Sequence, residues 1–194
     1  MKQVLVLTGT PGVGKSSISR LLASLLNGIH VSLGDLVRQR GLSSGLDPER
    51  QALIADEELL SKHVKEIIKK TDGCIVVDGH LATSVLGAKD IAFAFVLRRD
   101  PDDLLNVLVG RGFAERKARE NVAAEILDVC LFDAVETYGE GKVCEVDVSD
   151  KSLQDVANEI ISVVSGQSRC RKGIVDWLTR LESQGRLDDF LASL

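Results

Sequence analysis

The chain has 194 residues, of which 44% are hydrophobic, and this is enough to form one domain with a substantial core. Its net charge of −5 argues against nonspecific nucleic-acid binding by the chain as a whole, and its apolar runs are too short to cross a bilayer. No basic-then-apolar leader precedes the first predicted strand. We therefore expect a cytoplasmic protein with no membrane partner and no strong sequence-specific nucleic-acid binding.

The four cysteines are far apart in the sequence and form no C-x-x-C pair. They are Cys74, Cys130, Cys144 and Cys170. Such spacing argues against a zinc site or a disulfide framework and is typical of a reducing compartment. We predict buried free thiols at the first three positions and expect no zinc.

Short apolar runs alternate with segments of helical periodicity along most of the chain. The predicted strands are Gln3–Thr8, Ile29–Ser32, Cys74–Asp78, Ile91–Leu97 and Val143–Val148. The predicted helices are Lys15–Leu26, Asp56–Lys69, Pro101–Arg111, Glu115–Val135 and Ser152–Val164. This alternation predicts an α/β fold whose five-stranded parallel sheet is covered on both faces by helices and connected by right-handed crossovers.

The segment between the first strand and the first helix matches a phosphate-binding loop. From Gly9 to Ser16 it reads Gly-Thr-Pro-Gly-Val-Gly-Lys-Ser, which fits G-x-x-x-x-G-K-[ST] in the required context. Its glycines let backbone N–H groups surround a phosphate, and the helix N-terminus adds a positive dipole end. Lys15 supplies a charge for the outer phosphates, and the Ser16 hydroxyl can ligate Mg²⁺. The loop predicts binding of a nucleoside triphosphate; the alternative is a chance glycine-rich turn.

The segment after the second predicted strand is a candidate acceptor site. Asp35 can cap a helix there, and Arg38 lies in the first turns of that helix. In a phosphoryl-transfer enzyme Arg38 would hold the acceptor's phosphate with two hydrogen bonds; otherwise it is a surface arginine. The glycine- and serine-rich Gly41–Pro48 that follows predicts a mobile loop.

The third predicted strand ends in a carboxylate that is followed by a histidine. Asp78 is placed where a phosphate-loop site needs a second acid to hold Mg²⁺, partly through water; the alternative is an aspartate that caps the following turn. His80 can accept a proton or position a nucleophile, or be a polar turn residue.

Basic residues gather between the fourth strand and the next long helix. They are Arg98, Arg99, Arg111, Arg116, Lys117 and Arg119. The helical pattern breaks at Arg111-Gly112-Phe113, which predicts a small lid whose closure excludes water and brings cations onto the phosphates. Arg111, and with it Arg98, are candidates to neutralise developing charge. The alternative is an ordinary pair of helices with a basic surface.

The tail after Val164 begins with a polar, glycine-containing stretch and then regains helical spacing. Its apolar positions include Ile174, Trp177, Leu178 and Leu181. We predict a C-terminal helical extension over residues 166–194. It either docks on the preceding domain, which is the more common outcome, or is offered to a partner.

These features together resemble the adenylate kinase isoenzyme 6 family, whose archaeal members are often called putative adenylate kinases. The resembling segments are Leu7–Ser16, Gly34–Leu36, Val76–His80, Val96–Arg98, Arg111–Phe113, Lys117, Glu120–Asn121 and Ala124–Asp128. They span about residues 3–165, and the Asp-x-His after the third strand is the most discriminating. Ordinary adenylate kinases typically have a Gly-Phe-Pro-Arg run near there, which this chain lacks. The tail from Gln167 lies outside the resemblance.

The resemblance implies a P-loop nucleoside monophosphate kinase domain over residues 1–165, with an acceptor lobe at about 31–56 and a lid at about 110–120. It implies Mg·ATP as donor, AMP as the acceptor and ATP hydrolysis as a second activity. By position, the ATP phosphates would be held by Gly12, Gly14, Lys15, Ser16 and Ser17, and Arg111 would contact ATP from the lid. Asp78 and His80 would match the family's Walker B-like pair, which serves metal binding and water positioning.

The resemblance also implies a role in small ribosomal subunit maturation, through binding of a small-subunit ribosomal protein. Our preferred activity is transfer of the γ-phosphoryl group of Mg·ATP to AMP, with Lys15, Asp78, His80 and Arg111 as the catalytic residues and Ser16 and Asp78 as the Mg²⁺ ligands. Two alternatives stay open. One is an ATPase-type assembly factor with incidental kinase activity, and the other is a kinase for a different small metabolite.

Overall fold

A computed structural model describes residues 2–47 and 52–191 of the chain. The strands in this part are β1 (Gln3–Thr8), β2 (Ile29–Ser32), β3 (Ser43–Asp47), β4 (Ala52–Ala55), β5 (Cys74–Asp78), β6 (Phe93–Arg98) and β7 (Val143–Asp147). The helices are α1 (Lys15–Leu25), α2 (Leu33–Arg40), α3 (Glu57–Lys70), α4 (Ala82–Val85), α5 (Pro101–Gly110), α6 (Glu115–Ile126), α7 (Val129–Tyr138), α8 (Leu153–Val164), α9 (Trp177–Ser183) and α10 (Leu187–Leu191). None of the helices in these two ranges is long and apolar enough to cross a membrane.

The central sheet is parallel and has the strand order β2-β5-β1-β6-β7. Strands β1, β5 and β6 are buried along almost their whole length because helices cover both faces, which explains their continuous apolar sequences. Leu7 on β1 pairs with Asp78 on one side and Phe95 on the other, so the carboxyl ends of the three strands meet at one edge. The chain order switches direction around β1, and such a switch point opens a crevice at this edge.

The predicted α/β fold with a helix-covered, five-stranded parallel sheet is confirmed, and each predicted strand ends within two residues of its observed bounds. The predicted helix Glu115–Val135 is instead two helices. The break falls at Asp128, whose φ of 56° lies in the left-handed region that aspartate tolerates. Its side chain pairs with the distant Arg98, and helical periodicity contains no sign of such a contact.

The prediction of a loop over Gly41–Pro48 is wrong at Ser43–Asp47, which form a strand; Gly41 and Leu42 are outside any strand or helix, and Pro48 lies outside the described residues. The predicted mobility stays a prediction. Here β3 pairs antiparallel with β4 in a separate hairpin. Leu46 and Leu53 face each other across the pair although both are largely exposed. Cross-strand pairing and backbone hydrogen bonds form this hairpin in spite of its low intrinsic strand propensity.

The tail is docked on the domain, as the more common of the two alternatives predicted. Trp177, Leu181 and Phe190 are buried in the same hydrophobic cluster as the central strands and α6. At the surface Arg186 forms an ion pair with Asp102 of α5 at 2.7 Å. The C-terminal helices are therefore part of the core.

A disulfide bond joins Cys144 on β7 to Cys170 in the tail, with a Cα–Cα distance of 5.1 Å. The prediction of a free thiol at Cys144, and with it the argument against a disulfide, is wrong. The two cysteines are 26 residues apart in sequence, and only the return of the tail along β7 brings them together. Cys74 and Cys130 are free and partly buried.

Candidate active site

The phosphate-binding loop lies between β1 and α1, at the crevice formed where the strand order switches. Gly9 has a φ of +130°, and a Cβ there would lie 2.5 Å from the carbonyl oxygen of Leu97. Gly12 has a φ of +99°, and a Cβ there would lie 2.8 Å from the Leu104 side chain. The loop backbone is thus pressed against β6 and α5 in a conformation that only glycine adopts easily, as the motif requires.

Lys15 is the first residue of α1, and its side chain folds back over the loop. Its Nζ donates to the carbonyl oxygens of Gly9 at 2.6 Å and Thr10 at 2.9 Å. Burial lowers the pKa of Lys15 to about 8, and Cys130 and nearby carboxylates oppose this shift only in part. The ammonium group is therefore held where the outer phosphates of a bound nucleotide would lie.

Asp78, at the end of β5, is 2% exposed, and neither of its carboxylate oxygens accepts a hydrogen bond of regular geometry from the residues that the structure describes, although His30, Ser16 and Ser32 lie close to it. Burial alone would raise the pKa of this carboxyl, but His30, Ser16 and Ser32 outweigh it and lower the pKa. An ionised carboxylate with open oxygens beside the Ser16 hydroxyl is a donor set that suits Mg²⁺ held partly through water. The residues present therefore fit this ion. No cluster of three or more potential His, Cys, Asp or Glu ligands occurs in residues 2–47 and 52–191.

His30 is a site residue that the sequence analysis missed. Its Nε2 lies 3.4 Å from Oδ1 of Asp78, and its side chain is mostly buried. His30 and Ser32 are two residues apart on β2 and so lie on the same face of the strand, which pairs with β5. That spacing of polar residues in a short predicted strand was the signal available in the sequence.

His80 lies in the turn after β5, at the exposed mouth of the site. The surrounding protein and the positive charge of Lys15 lower its pKa. The imidazole is therefore mainly neutral near pH 7 and able to accept a proton.

The arginines predicted near the phosphates divide into two groups. Arg98 is fully buried and forms ion pairs with carboxylates behind the loop, so the prediction that it neutralises developing charge is wrong. Arg99, which belongs to the predicted basic cluster but was not among the candidates to neutralise developing charge, donates to the carbonyl oxygen of Gly12 at 3.2 Å. Arg111 ends α5 as an exposed residue, and its charge contributes to the lowered pKa of Lys15. Of these three arginines, Arg99 contacts the loop directly, and Arg111 is close enough for its charge to act on Lys15.

The lid was predicted at the break between two helices, and the structure has a connection between α5 and α6 at this position. Around it Arg116 pairs with Glu120 at 3.0 Å, and Arg119 donates to the carbonyl oxygen of Asp189 at 2.8 Å. In this conformation Arg116 is thus paired within α6, and Arg119 is bound to the tail. Closure of a lid stays a prediction.

The acceptor candidates lie on α2, which follows β2 at one edge of the sheet, whereas the lid connection follows β6 and α5. Asp35 does not cap this helix, because Ser32 is the N-cap residue and accepts from the backbone N–H of Asp35. Arg38 donates to Oδ1 of Asp35 at 2.5 Å, and its side chain is 65% exposed. Both residues are accessible to a ligand, and their role stays a prediction.

A glycine loop after the first strand of a parallel sheet, with a lysine over it and an acid on the neighbouring strand, defines a P-loop nucleotide-binding type of domain. The chain matches the family model described as AAA domain over residues 5–128, which is more than half its length. Among solved structures it superposes on a shikimate kinase from Bacteroides thetaiotaomicron with a TM-score of 0.57 at 15% identity, covering 84% of this chain and 98% of that one. A gluconokinase from Sinorhizobium meliloti gives 0.54 at 16% identity, covering 94% and 97%.

Relatives of higher sequence identity identify the family to which the chain belongs. The chain is 40% identical to a protein named "Putative adenylate kinase" from Methanothermobacter thermautotrophicus, over 90% of this chain and 96% of the relative. A protein of the same name from Saccharolobus islandicus is 34% identical over 96% of this chain and 93% of its own length. The chain belongs to this family of archaeal P-loop kinases. The second alignment spans 186 residues and so includes most of the tail, contrary to the expectation that the tail lies outside the family.

Proposed function

We propose that the protein is an adenylate kinase that transfers the γ-phosphoryl group of Mg·ATP to AMP. The observation that carries the proposal is Asp78, a buried carboxylate beside Ser16 of the phosphate loop whose oxygens accept no hydrogen bond of regular geometry and have His30 Nε2 as a neighbour at 3.4 Å. A buried carboxylate normally accepts several regular hydrogen bonds, and one that lacks them is suited to a cation that arrives with the nucleotide. The names of the relatives support AMP as the acceptor.

Each loop residue has a separate task in this proposal. The backbone around Gly12 and Gly14 and the start of α1 at Ser17 bind the phosphates, and Lys15 neutralises the charge on the β- and γ-phosphoryl oxygens. Ser16 and Asp78 would hold Mg²⁺, which when bound supplies further charge neutralisation at the phosphates. Catalysis then consists mainly of positioning and electrostatic stabilisation, because the reaction needs little covalent chemistry from the protein.

Two arginines complete the proposed site. Arg111 would meet the transferred group from the lid connection, where its charge already acts on Lys15. Arg38 would bind the acceptor's phosphate, which would compete with Asp35 for the guanidinium group. The hairpin β3–β4 would form the outer part of the acceptor lobe.

The test is a radiolabelled ATP assay that offers the full chain AMP, other nucleoside monophosphates, small alcohols and water alone. We expect the highest turnover with AMP, and two ADP formed for each ATP and AMP consumed. Transfer to a small alcohol with none to AMP would contradict the proposal in favour of a metabolite kinase. Phosphate release that no acceptor increases would favour an ATPase.

The ATPase is a second candidate because of His80, a neutral imidazole beside Lys15 that can orient or deprotonate water. We expect His80→Ala to lower phosphate release without AMP by about 100-fold, as is usual for loss of a general base. AMP phosphorylation should fall much less, because the acceptor's phosphate is itself a good nucleophile. Rates of both reactions in wild type, His80→Ala and the control His63→Ala give the answer. Equal losses in the two reactions would remove the case for a hydrolytic role.

The ribosomal part of the resemblance stays a prediction. It consists of a small-subunit ribosomal protein as partner and a role in subunit maturation, in which ATP hydrolysis would time the partner's release. Cytoplasmic location stays a prediction as well. The proposed kinase reaction does not depend on either.

A further inference from the structure

A buried glutamate contacts the phosphate loop from behind. The hydroxyl of Thr10 donates to Oε2 of Glu125 at 2.7 Å, and the two residues are 1% and 2% exposed. Thr10 is the second residue of the loop, and its carbonyl oxygen receives the Nζ of Lys15 at 2.9 Å. The same loop residue is therefore held by a carboxylate on one side and contacts the phosphate-binding lysine on the other.

The second oxygen of Glu125 accepts hydrogen bonds from two other parts of the chain. Nε of Arg98 donates to Oε1 at 2.7 Å, and the backbone N–H of Arg99 donates at 3.2 Å. The indole N–H of Trp177, in the C-terminal tail, donates to the same oxygen at 3.3 Å. Glu125 thus links the loop, the end of β6 and the tail through one carboxylate.

The tail also satisfies a second buried carboxylate of the cluster. One oxygen of Glu145 accepts from Arg98, and the other accepts from the backbone N–H groups of Gly173 and Ile174. Arg98 pairs in addition with Asp128, so one guanidinium faces three carboxylates. Buried carboxylates need enough donors to stay ionised away from water. Here the tail provides three of those donors, with Trp177 serving Glu125.

We propose that Glu125 is a positioning residue of the phosphate loop and that the C-terminal tail, through Trp177, holds it in place. The proposal rests on the nucleotide binding proposed above. If Thr10 turned away, Oε2 of Glu125 would lose the donor shown for it while remaining buried, which is unfavourable. The loop is therefore fixed in one conformation before nucleotide arrives, and pre-organisation of this kind strengthens binding.

The contact can be removed at one end and weakened at the other with little change of shape. Thr10→Val removes the hydroxyl and keeps the branched side chain. Glu125→Gln replaces the charged acceptor of the Thr10 hydroxyl by a neutral amide, which weakens the hydrogen bond, while Arg98 keeps Glu145 and Asp128 as partners, so the fold is expected to survive. Thr10→Ser keeps the hydroxyl and is the conservative variant, which should retain Mg·ATP binding.

The experiment is a double-mutant cycle on Mg·ATP binding, measured by calorimetry on the full chain. We expect Thr10→Val and Glu125→Gln each to weaken binding by about tenfold, and the double variant to be no weaker than the worse single variant. KM for ATP should rise in parallel while kcat stays within about twofold, and Thr10→Ser should resemble wild type. Additive losses in the double variant, or a lowered Tm with unchanged binding in both single variants, would overturn the proposal.

The part played by the tail is tested with Trp177→Phe, which keeps the ring and removes the N–H donor. We expect about threefold weaker ATP binding, with no effect in the Thr10→Val background. Arg186→Gln is the matched control, because it breaks a tail ion pair with Asp102 that does not touch Glu125; it should lower Tm and leave binding unchanged. Equal weakening by Trp177→Phe in both backgrounds would overturn the tail's role.

The two proposals fail in different ways. If wild type bound no ATP, the proposed function would fail whatever the network does. If wild type binds ATP, the two double-mutant cycles test only whether Glu125 and Trp177 position the loop. If the Glu125→Gln variant does not fold, the double-mutant cycle of Trp177→Phe with Thr10→Val still tests whether the tail and the loop are coupled.

Discussion

Replacing Lys15 with alanine should abolish phosphoryl transfer and leave the fold intact. The ammonium group lies over the loop, with its Nζ 2.6 Å from the carbonyl oxygen of Gly9. Its loss leaves the outer phosphates of ATP without this charge, and we expect turnover to fall by at least ~10³-fold, the upper range for loss of one electrostatic stabiliser. The fold should survive because Lys15 is only partly buried and water can replace its bonds to the two carbonyls.

The measurement is the initial rate of ADP formation from ATP and AMP, with circular dichroism and thermal unfolding as checks on the fold. Lys62→Ala, on the exposed face of α3, is the matched control for loss of a lysine and should keep full activity. Wild-type-like turnover by the Lys15 variant would contradict the assignment of the site.

Replacing Arg98 with methionine should cause the largest loss of stability that we expect from one substitution in this chain. The variant leaves Glu125 and Glu145 buried without their countercharge, and breaking a buried pair in this way costs about 3–5 kcal/mol. A single domain has a free energy of unfolding of about 5–15 kcal/mol in total, so much of the protein would be unfolded or easily unfolded.

Urea unfolding of the variant and of wild type at pH 7 measures this loss. The free energy of unfolding of the variant should be lower than that of wild type by about 3–5 kcal/mol, because two buried carboxylates have lost the guanidinium group that faces them. Arg38→Met, which breaks an exposed ion pair with Asp35, should change the free energy of unfolding by less than about 1 kcal/mol. A deficit in the Arg98 variant as small as in this control would show that Glu125 and Glu145 do not depend on Arg98.

The sequence was sufficient to predict those features that depend on neighbours along the chain. The strands β1, β5 and β6 are continuous apolar runs because both faces are covered, and that pattern is visible without coordinates. The phosphate loop and Asp78 follow from the same local logic, since each lies at the carboxyl end of a recognisable strand. Their relative position follows from the parallel sheet.

The features that were missed depend on contacts between distant residues. Arg98 has the sequence context of a phosphate-binding arginine, and only its tertiary neighbours show that it is a buried partner of Glu125. The disulfide between Cys144 and Cys170 depends in the same way on the path of the tail along β7. The hairpin β3–β4 was missed for a different reason, because its glycine and serine content is typical of loops.

The hydrogen bonds that join Thr10, Glu125 and Trp177 also affect how the chain folds. Thr10 and Glu125 are 115 residues apart, and Glu125 and Trp177 are a further 52 apart. During synthesis the loop leaves the ribosome well before the indole donor of Trp177, and contacts of such long sequence separation form slowly. Native-like secondary structure around the loop can therefore precede its final conformation. High-affinity nucleotide binding would then be acquired late, when the C-terminal helices close the core.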